Sequence, residues 1–254
     1  MKINMSEIFL NRLTASAAEM GLSLDGRTAA QLYTYYEMLV EKNKVMNLTA
    51  ITGEEDAVTK HFIDSLSIVK CPGWEELLKK TPGKEAPRVI DIGTGAGFPG
   101  LVLKIAFPEI RMVLFDSLKK RLNFLDEVIE VLGLEGVETV HGRAEDAGHD
   151  KKHREQYDLA VSRAVANMAT LSEYCLPFVK KGGCFAAYKT AESGEEIAAG
   201  EGAVRKLGGT IERSVSFTLP MSDIGRSLVL VRKTGTTPSK YPRKAGTPGK
   251  DPLS

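Results

Sequence analysis

The sequence predicts a doubly wound α/β protein, a mostly parallel, seven-stranded sheet behind an N-terminal helical extension. Three observations carry this. Residues 89–101 read as a buried strand, a glycine loop and a helix start; strand and helix character alternate from Arg88 onward; and residues 1–80 show only helical periodicity. Such alternation specifies parallel strands joined by right-handed crossovers.

In order along the chain, Phe9, Leu13, Ala17 and Met20 recur at helical spacing, as do Leu32, Tyr35, Tyr36 and Leu39, with Asp25-Gly26-Arg27 separating the two helices. A further helix is expected over 54–69, with Thr52 as its N-cap and His61, Asp64 and Ser65 one turn apart. A polar link at 79–87 leads to strands expected at 89–92, 111–115, 137–141, 159–162 and 184–188, with helices between them. A helix at 195–207 follows, then two β-rich segments, 211–219 and 227–232, suited to antiparallel pairing. The organisation is therefore a helical extension (1–80), a cofactor-binding domain (81–233) and a C-terminal arm (234–254).

An apolar content of 43% supplies a large core. The three cysteines, Cys71, Cys175 and Cys184, are widely separated and lack metal-ligand spacing, so they read as structural thiols of a reduced compartment, with no metal expected. No run of about 18 apolar residues spans a bilayer, and the N-terminus lacks a secretory h-region, so a cytoplasmic protein without membrane contact is expected. A monomer is expected as well, although the sequence does not fix the oligomeric state. The formal charge of +1 conceals a local basic surface. Residues 232–250 carry Arg232, Lys233, Lys240, Arg243, Lys244 and Lys250, interleaved with three prolines and no acidic residue. This reads as an extended, flexible basic arm, either a solubilising tail or a sequence-independent contact for a polyanion such as RNA.

The glycine loop locates a cofactor. Gly93, Gly95 and Gly97 permit a sharp turn and close approach to a ligand, and Pro99 pre-sets the first helical turn. No Lys follows the last glycine, which disfavours a nucleoside triphosphate. Residues 95–100 also satisfy the dinucleotide pattern G-x-G-x-x-G, and a packing turn without a ligand is the plainer alternative. Asp91 separates these readings. A carboxylate is expected at the exposed end of the strand, where it opposes a pyrophosphate and suits the ammonium and sulfonium of S-adenosylmethionine.

Asp116 ends the second strand, where it either accepts both ribose hydroxyls or caps a helix in competition with Ser117. The loop holding Ala144 and Glu145 follows the third strand and would lie along an adenine edge. After the fourth strand, Ser162-Arg163-Ala164 occupies the acceptor position. The Asp/Asn-Pro-Pro-aromatic motif of amine methylation is missing there, no reactive thiolate is evident, and no base pair for oxygen methylation appears. Nitrogen 7 of guanine, with an in-plane lone pair and no hydrogen, fits that gap, because its attack needs alignment and no base. Arg163 is accordingly expected to position cofactor or substrate.

Segments across nearly the whole chain resemble the bacterial glucose-inhibited division protein B family. They include Met46-Asn47-Leu48-Thr49, His61-Phe62-Ile63-Asp64-Ser65, the glycine loop, Asp116-Ser117-Leu118-Lys119-Lys120-Arg121, Ser162-Arg163-Ala164, Tyr188-Lys189 and the stretch from Tyr241 to Pro248. One departure is Thr190-Ala191, where some relatives place a glycine. The resemblance implies a class I methyltransferase that transfers a methyl group from S-adenosylmethionine to guanine nitrogen 7 of small-subunit (16S) ribosomal RNA. It carries cofactor contacts to Gly93, Phe98, Ala144, Glu145 and Arg163, with Asp116 at the ribose. It places Asn47, His61, Lys119, Arg121 and Lys189 against RNA or the acceptor pocket; His61 also reads as a hydrogen-bonded core histidine. Two rivals remain. A nicotinamide-dependent oxidoreductase needs a substrate domain that the residues beyond Leu207 are too few to form, and a non-catalytic RNA-binding assembly factor has no need of an intact cofactor loop.

Overall fold

A computed structural model describes residues 6–79, 85–163 and 165–254. The expected boundary at 80/81 and Ala164 lie outside them. Helix α1 (Glu7–Glu19) begins where the Ser6 side chain accepts from the Phe9 amide, and α2 (Gly26–Met46) where Asp25 accepts from the Thr28 amide. Asn47 ends α2 in the left-handed region, at φ 47° and ψ 56°, a conformation Asn tolerates better than most side chains.

The single helix expected over 54–69 is four short pieces. Helix α3 (Glu54–Ala57) runs into a π-helical turn, Val58–Ile63, then α4 (Asp64–Leu66) and a 3-10 turn, Ser67–Lys70. Gly53, and not Thr52, stands at the N-cap. Helix α5 (Trp74–Leu78) completes the N-terminal layer.

The sheet follows as β1 (Arg88–Ile92), α6 (Gly100–Ala106), β2 (Arg111–Asp116), α7 (Lys119–Leu132), β3 (Val137–His141), α8 (Ala144–Ala147), β4 (Tyr157–Arg163), α9 (Met168–Cys175) and β5 (Val179–Thr190). The helix expected over 195–207 is two, α10 (Gly194–Ala199) and α11 (Glu201–Lys206), which meet at Gly200. Strands β6 (Gly209–Thr218) and β7 (Gly225–Lys233) close the sheet, and α12 (Thr247–Lys250) lies near the C-terminus.

Strand order is β3-β2-β1-β4-β5-β7-β6, parallel through β5, with β7 antiparallel to both β5 and β6. The predicted doubly wound class and the antiparallel closing pair are both borne out. Chain direction reverses in order between β1 and β4, and open α/β sheets bind ligands beyond the strand ends at that point.

Alternate residues of each strand feed two cores. Val89, Leu114, Ala186 and Leu230 pack beneath α1, α2, α6 and α7 with Phe9, Leu32, Tyr35 and Leu125, so the N-terminal helices are one face of the sheet's own core. On the opposite face Ile90, Phe115, Phe185 and Val229 meet Leu171, Phe178 and Val204.

The arm expected to be extended and flexible is packed. Lys233 is fully buried, with Nζ donating to the Leu176 carbonyl at 2.7 Å and lying 3.2 Å from Glu155 Oε1. Arg243 forks onto Glu173, itself fully buried. Of the basic residues counted there, Lys240, Lys244 and Lys250 remain exposed. Proline spacing and charge were a poor guide here because buried acceptors elsewhere in the chain capture the cations. Among the described residues no helix is long and apolar enough to cross a membrane.

Candidate active site

A cleft of about 570 Å³ opens at the carboxyl ends of β1, β2 and β4. Its floor is the glycine loop, which Gly93 and Thr94 tie to β2 by donating to the Phe115 carbonyl. Gly95, at φ +60°, presents bare backbone to the cleft: a Cβ there would meet only the Gly93 carbonyl, 4.0 Å away. Gly97, at φ +105°, serves packing, since its Cβ would come 2.5 Å from Tyr35 Oη. Tyr35 Oη donates to the Ala96 carbonyl, so α2 fastens the loop from behind.

Asp91 differs from expectation. It is fully buried and does not line the cleft, because strand alternation turns it toward the N-terminus of α6. There Oδ2 accepts from the Gly100 amide at 2.8 Å and from Thr94 Oγ1 at 2.7 Å, while Oδ1 has no partner among the described residues. Burial pushes its carboxyl up to about 6, against the two hydrogen bonds and Arg163, which lower it. Any effect on a cation in the cleft acts through space.

Asp116 lines the cleft, and its carboxylate is engaged by backbone on both oxygens. Oδ1 accepts from the Leu118 amide at 2.8 Å at the approach to α7, and Oδ2 from the Gly95 amide at 2.9 Å. The carboxylate thus links the first two strand ends, and Arg121 reaches to 3.5 Å from it. Ala144 and Glu145 form the far wall.

The near wall is an interlocked cluster. Phe98 stacks with His61 at 4.4 Å and with Tyr35 at 5.3 Å between centroids, and the Arg163 guanidinium lies 5.3 Å from its ring centre. Arg163 Nη1 donates to Asp64 Oδ2 and the Lys60 carbonyl, both at 2.9 Å. Arg226, on β7, holds the other Asp64 oxygen at 3.0 Å. His61 Nδ1 lies 3.5 Å from Arg163 Nη2, which can only donate, so Nδ1 carries the lone pair and Nε2 donates to Thr49 Oγ1 at 2.8 Å. Burial and the neighbouring guanidinium lower the imidazole to about 4. His61 is therefore neutral near pH 7 with both ring nitrogens engaged.

Gly93, Gly95, Phe98, Asp116, Ala144, Glu145, Arg163, His61 and Arg121 converge on this cleft; Asp91, Gly97, Asn47, Lys119 and Lys189 do not line it. Asn47 is the exposed end of α2 that delivers Leu48 and Thr49 to the cleft, and Lys119 is exposed at the start of α7. Lys189 lies in an adjoining groove of about 440 Å³ that shares His61 and Arg163 with the cleft, and there it donates to the Ala166 carbonyl and pairs with Glu196. Sequence reasoning missed Arg226 and Tyr174. No local pattern marks either, because Arg226 reaches Asp64 only once β7 has inserted beside β5.

The thiols offer no nucleophile: burial pushes Cys71 up to about 12 and Cys184 up to about 11, and raises Cys175 strongly. The donor set fits S-adenosylmethionine. The Asp116 carboxylate ends β2 and the Glu145 carboxylate lies in α8 beyond β3, Gly95 offers bare backbone, and Ile92, Phe98, Phe115 and Val165 supply apolar wall.

A family model described as rRNA small subunit methyltransferase G matches residues 28–223. A ribosomal RNA small subunit methyltransferase G from Alkaliphilus metalliredigens (strain QYMF) is 50% identical over 92% of this chain and 95% of its own. One from Acetivibrio thermocellus is 48% identical over 95% and 96%. Among solved structures, a Galdieria sulphuraria protein described as a candidate sarcosine dimethylglycine methyltransferase superposes with a TM-score of 0.50 at 12% identity, covering 67% of this chain and 85% of that one, a likeness of fold.

Proposed function

Because the chain belongs to the rRNA small subunit methyltransferase G family, we propose that it methylates nitrogen 7 of a guanine in small-subunit (16S) ribosomal RNA, using S-adenosylmethionine and acting as a cytoplasmic monomer. The observation that carries the choice of atom is a near wall whose titratable groups are already engaged. His61 is neutral and bonded on both sides, Asp64 behind it is shared by two arginines, and none of the three cysteines lines the cleft. A wall without a free base suits an acceptor that has no proton to lose.

When bound, the cofactor supplies an electrophilic methyl carbon on a sulfonium. Asp116 and Glu145 would hold its ribose and adenine, and the Gly95 backbone would let it lie close. Phe98 and Val165, apolar residues of the cleft lining, would exclude water from the reacting end. Arg163, fixed by Asp64 and Lys60, positions substrate or cofactor and moves no proton, so Arg163→Ala lowers affinity and single-turnover rate. The exposed Lys119 and partly exposed Arg121 on one side and the groove at Lys189 on the other are the RNA-facing surfaces. Neither an oxidoreductase nor a non-catalytic assembly factor gains support from the family or the cleft.

The test is incubation of the protein with methyl-labelled S-adenosylmethionine and either protein-free 16S RNA or small subunits from cells lacking the activity, followed by mapping of the label. Label on guanine nitrogen 7 is expected. Label on an exocyclic amine or a ring carbon, or none on either substrate, overturns the proposal.

A further inference from the structure

We propose that the C-terminal segment 237–251 is a working part of the cofactor cleft, fixing the Glu145 carboxylate that the cleft presents to its ligand. This rests on reading the cleft as the S-adenosylmethionine site. Glu145 belongs to α8, a helix of four residues, too short to hold its own geometry. Its orientation comes from the arm: the Gly246 amide donates to Glu145 Oε1 at 2.8 Å. Oε2 accepts no hydrogen bond from the described residues, although Glu145 is buried and lines the cleft. One oxygen is thus tied and the other is free to accept from a ligand amine or hydroxyl.

The arm also braces the end of α8. Pro242 packs so closely on Gly148 that a Cβ there would come 2.6 Å from Pro242 Cγ, and the Pro242 carbonyl lies 2.7 Å from His149 Nε2. Arg154 Nη1 bridges the two segments, donating to the Gly148 carbonyl at 2.7 Å and to the Tyr241 carbonyl at 2.9 Å. The arm's own anchor lies deeper. Arg243 engages the fully buried Glu173 through its backbone amide at 2.7 Å and its guanidinium at 2.9 Å. The residue next to Glu173, Tyr174, is itself part of the cleft wall. A latch at Glu173 therefore holds the strap that aims Glu145, and a pre-oriented acceptor binds without the entropy cost of ordering it.

The experiment compares the native chain with Arg243→Ala combined with Glu173→Gln, which removes the guanidinium fork of the latch without stranding a buried carboxylate. Titration calorimetry measures binding of S-adenosylhomocysteine and of its inosine analogue, which lacks the exocyclic amine. Hydrogen exchange follows the amides of 144–148. The double variant is expected to bind S-adenosylhomocysteine about tenfold more weakly, to discriminate less between the two ligands, and to exchange faster at 144–148. Should that variant fail to fold, Arg243→Lys, which keeps the ion pair but loses the fork, shows the same narrowing at smaller size. Unchanged affinity, or equal weakening for both ligands with discrimination intact, overturns the role of the arm. A native chain that binds neither ligand overturns the cofactor reading instead.

Discussion

His61 and Asp91 are buried on either side of the glycine loop with opposite titration behaviour. His61 titrates at about 4 in the folded chain against about 6.5 unfolded, so as pH falls through that window the unfolded state takes the proton first and stability is lost, up to about 3 kcal/mol. Asp91 titrates at about 6 folded against about 3.8 unfolded, so the native state takes the proton first between pH 6 and 4 and gains a similar amount. The two slopes offset each other. Asp91→Asn is therefore expected to make stability fall more steeply with acidification over that range, and His61→Gln to make it fall less. Urea unfolding at a series of pH values measures both; parallel curves for the three chains would refute the assignment.

At the scale of elements, the glycine loop separates packing from binding within three residues. Gly97→Ala forces a Cβ against Tyr35 and Leu125 in a backbone region hostile to side chains, at a cost of about 2–4 kcal/mol, seen as a lower melting temperature. Gly95→Ala meets open space and costs about 1 kcal/mol for its positive φ, yet its methyl enters the cleft, so binding of S-adenosylhomocysteine weakens by about tenfold or more while melting barely moves. The loop's glycines and the acidic end of β2 were legible in the sequence because turn chemistry is local, whereas the exposure expected of Asp91 was not borne out. The π-helical turn at Val58–Ile63 was not, since its sequence carries the same apolar spacing as an ordinary helix. Such turns concentrate at functional sites, and this one carries both His61 and Lys60 to Arg163.

For the whole molecule, one core joins the N-terminal helices to the sheet, so the extension and the cofactor domain are not separable. A chain beginning at residue 85 leaves Val89, Leu101, Leu114 and Leu125 uncovered, and it is expected to lose cooperative thermal unfolding and near-ultraviolet dichroism. A sharp melting transition in that fragment would show the helices to be an independent layer.

By itself the sequence determined the order of the strands, the glycine loop after the first of them and the carboxylates near the ends of the first two, because periodicity and turn preferences act over a few residues. Tertiary structure alone decided that Asp91 is turned inward to α6, that Asp64 is shared by Arg163 and Arg226, 99 and 162 residues away, and that the basic arm is folded down onto Glu173 and Glu145. Those outcomes depend on which buried charge finds which partner, and that pairing exists only after the sheet has closed and water has left.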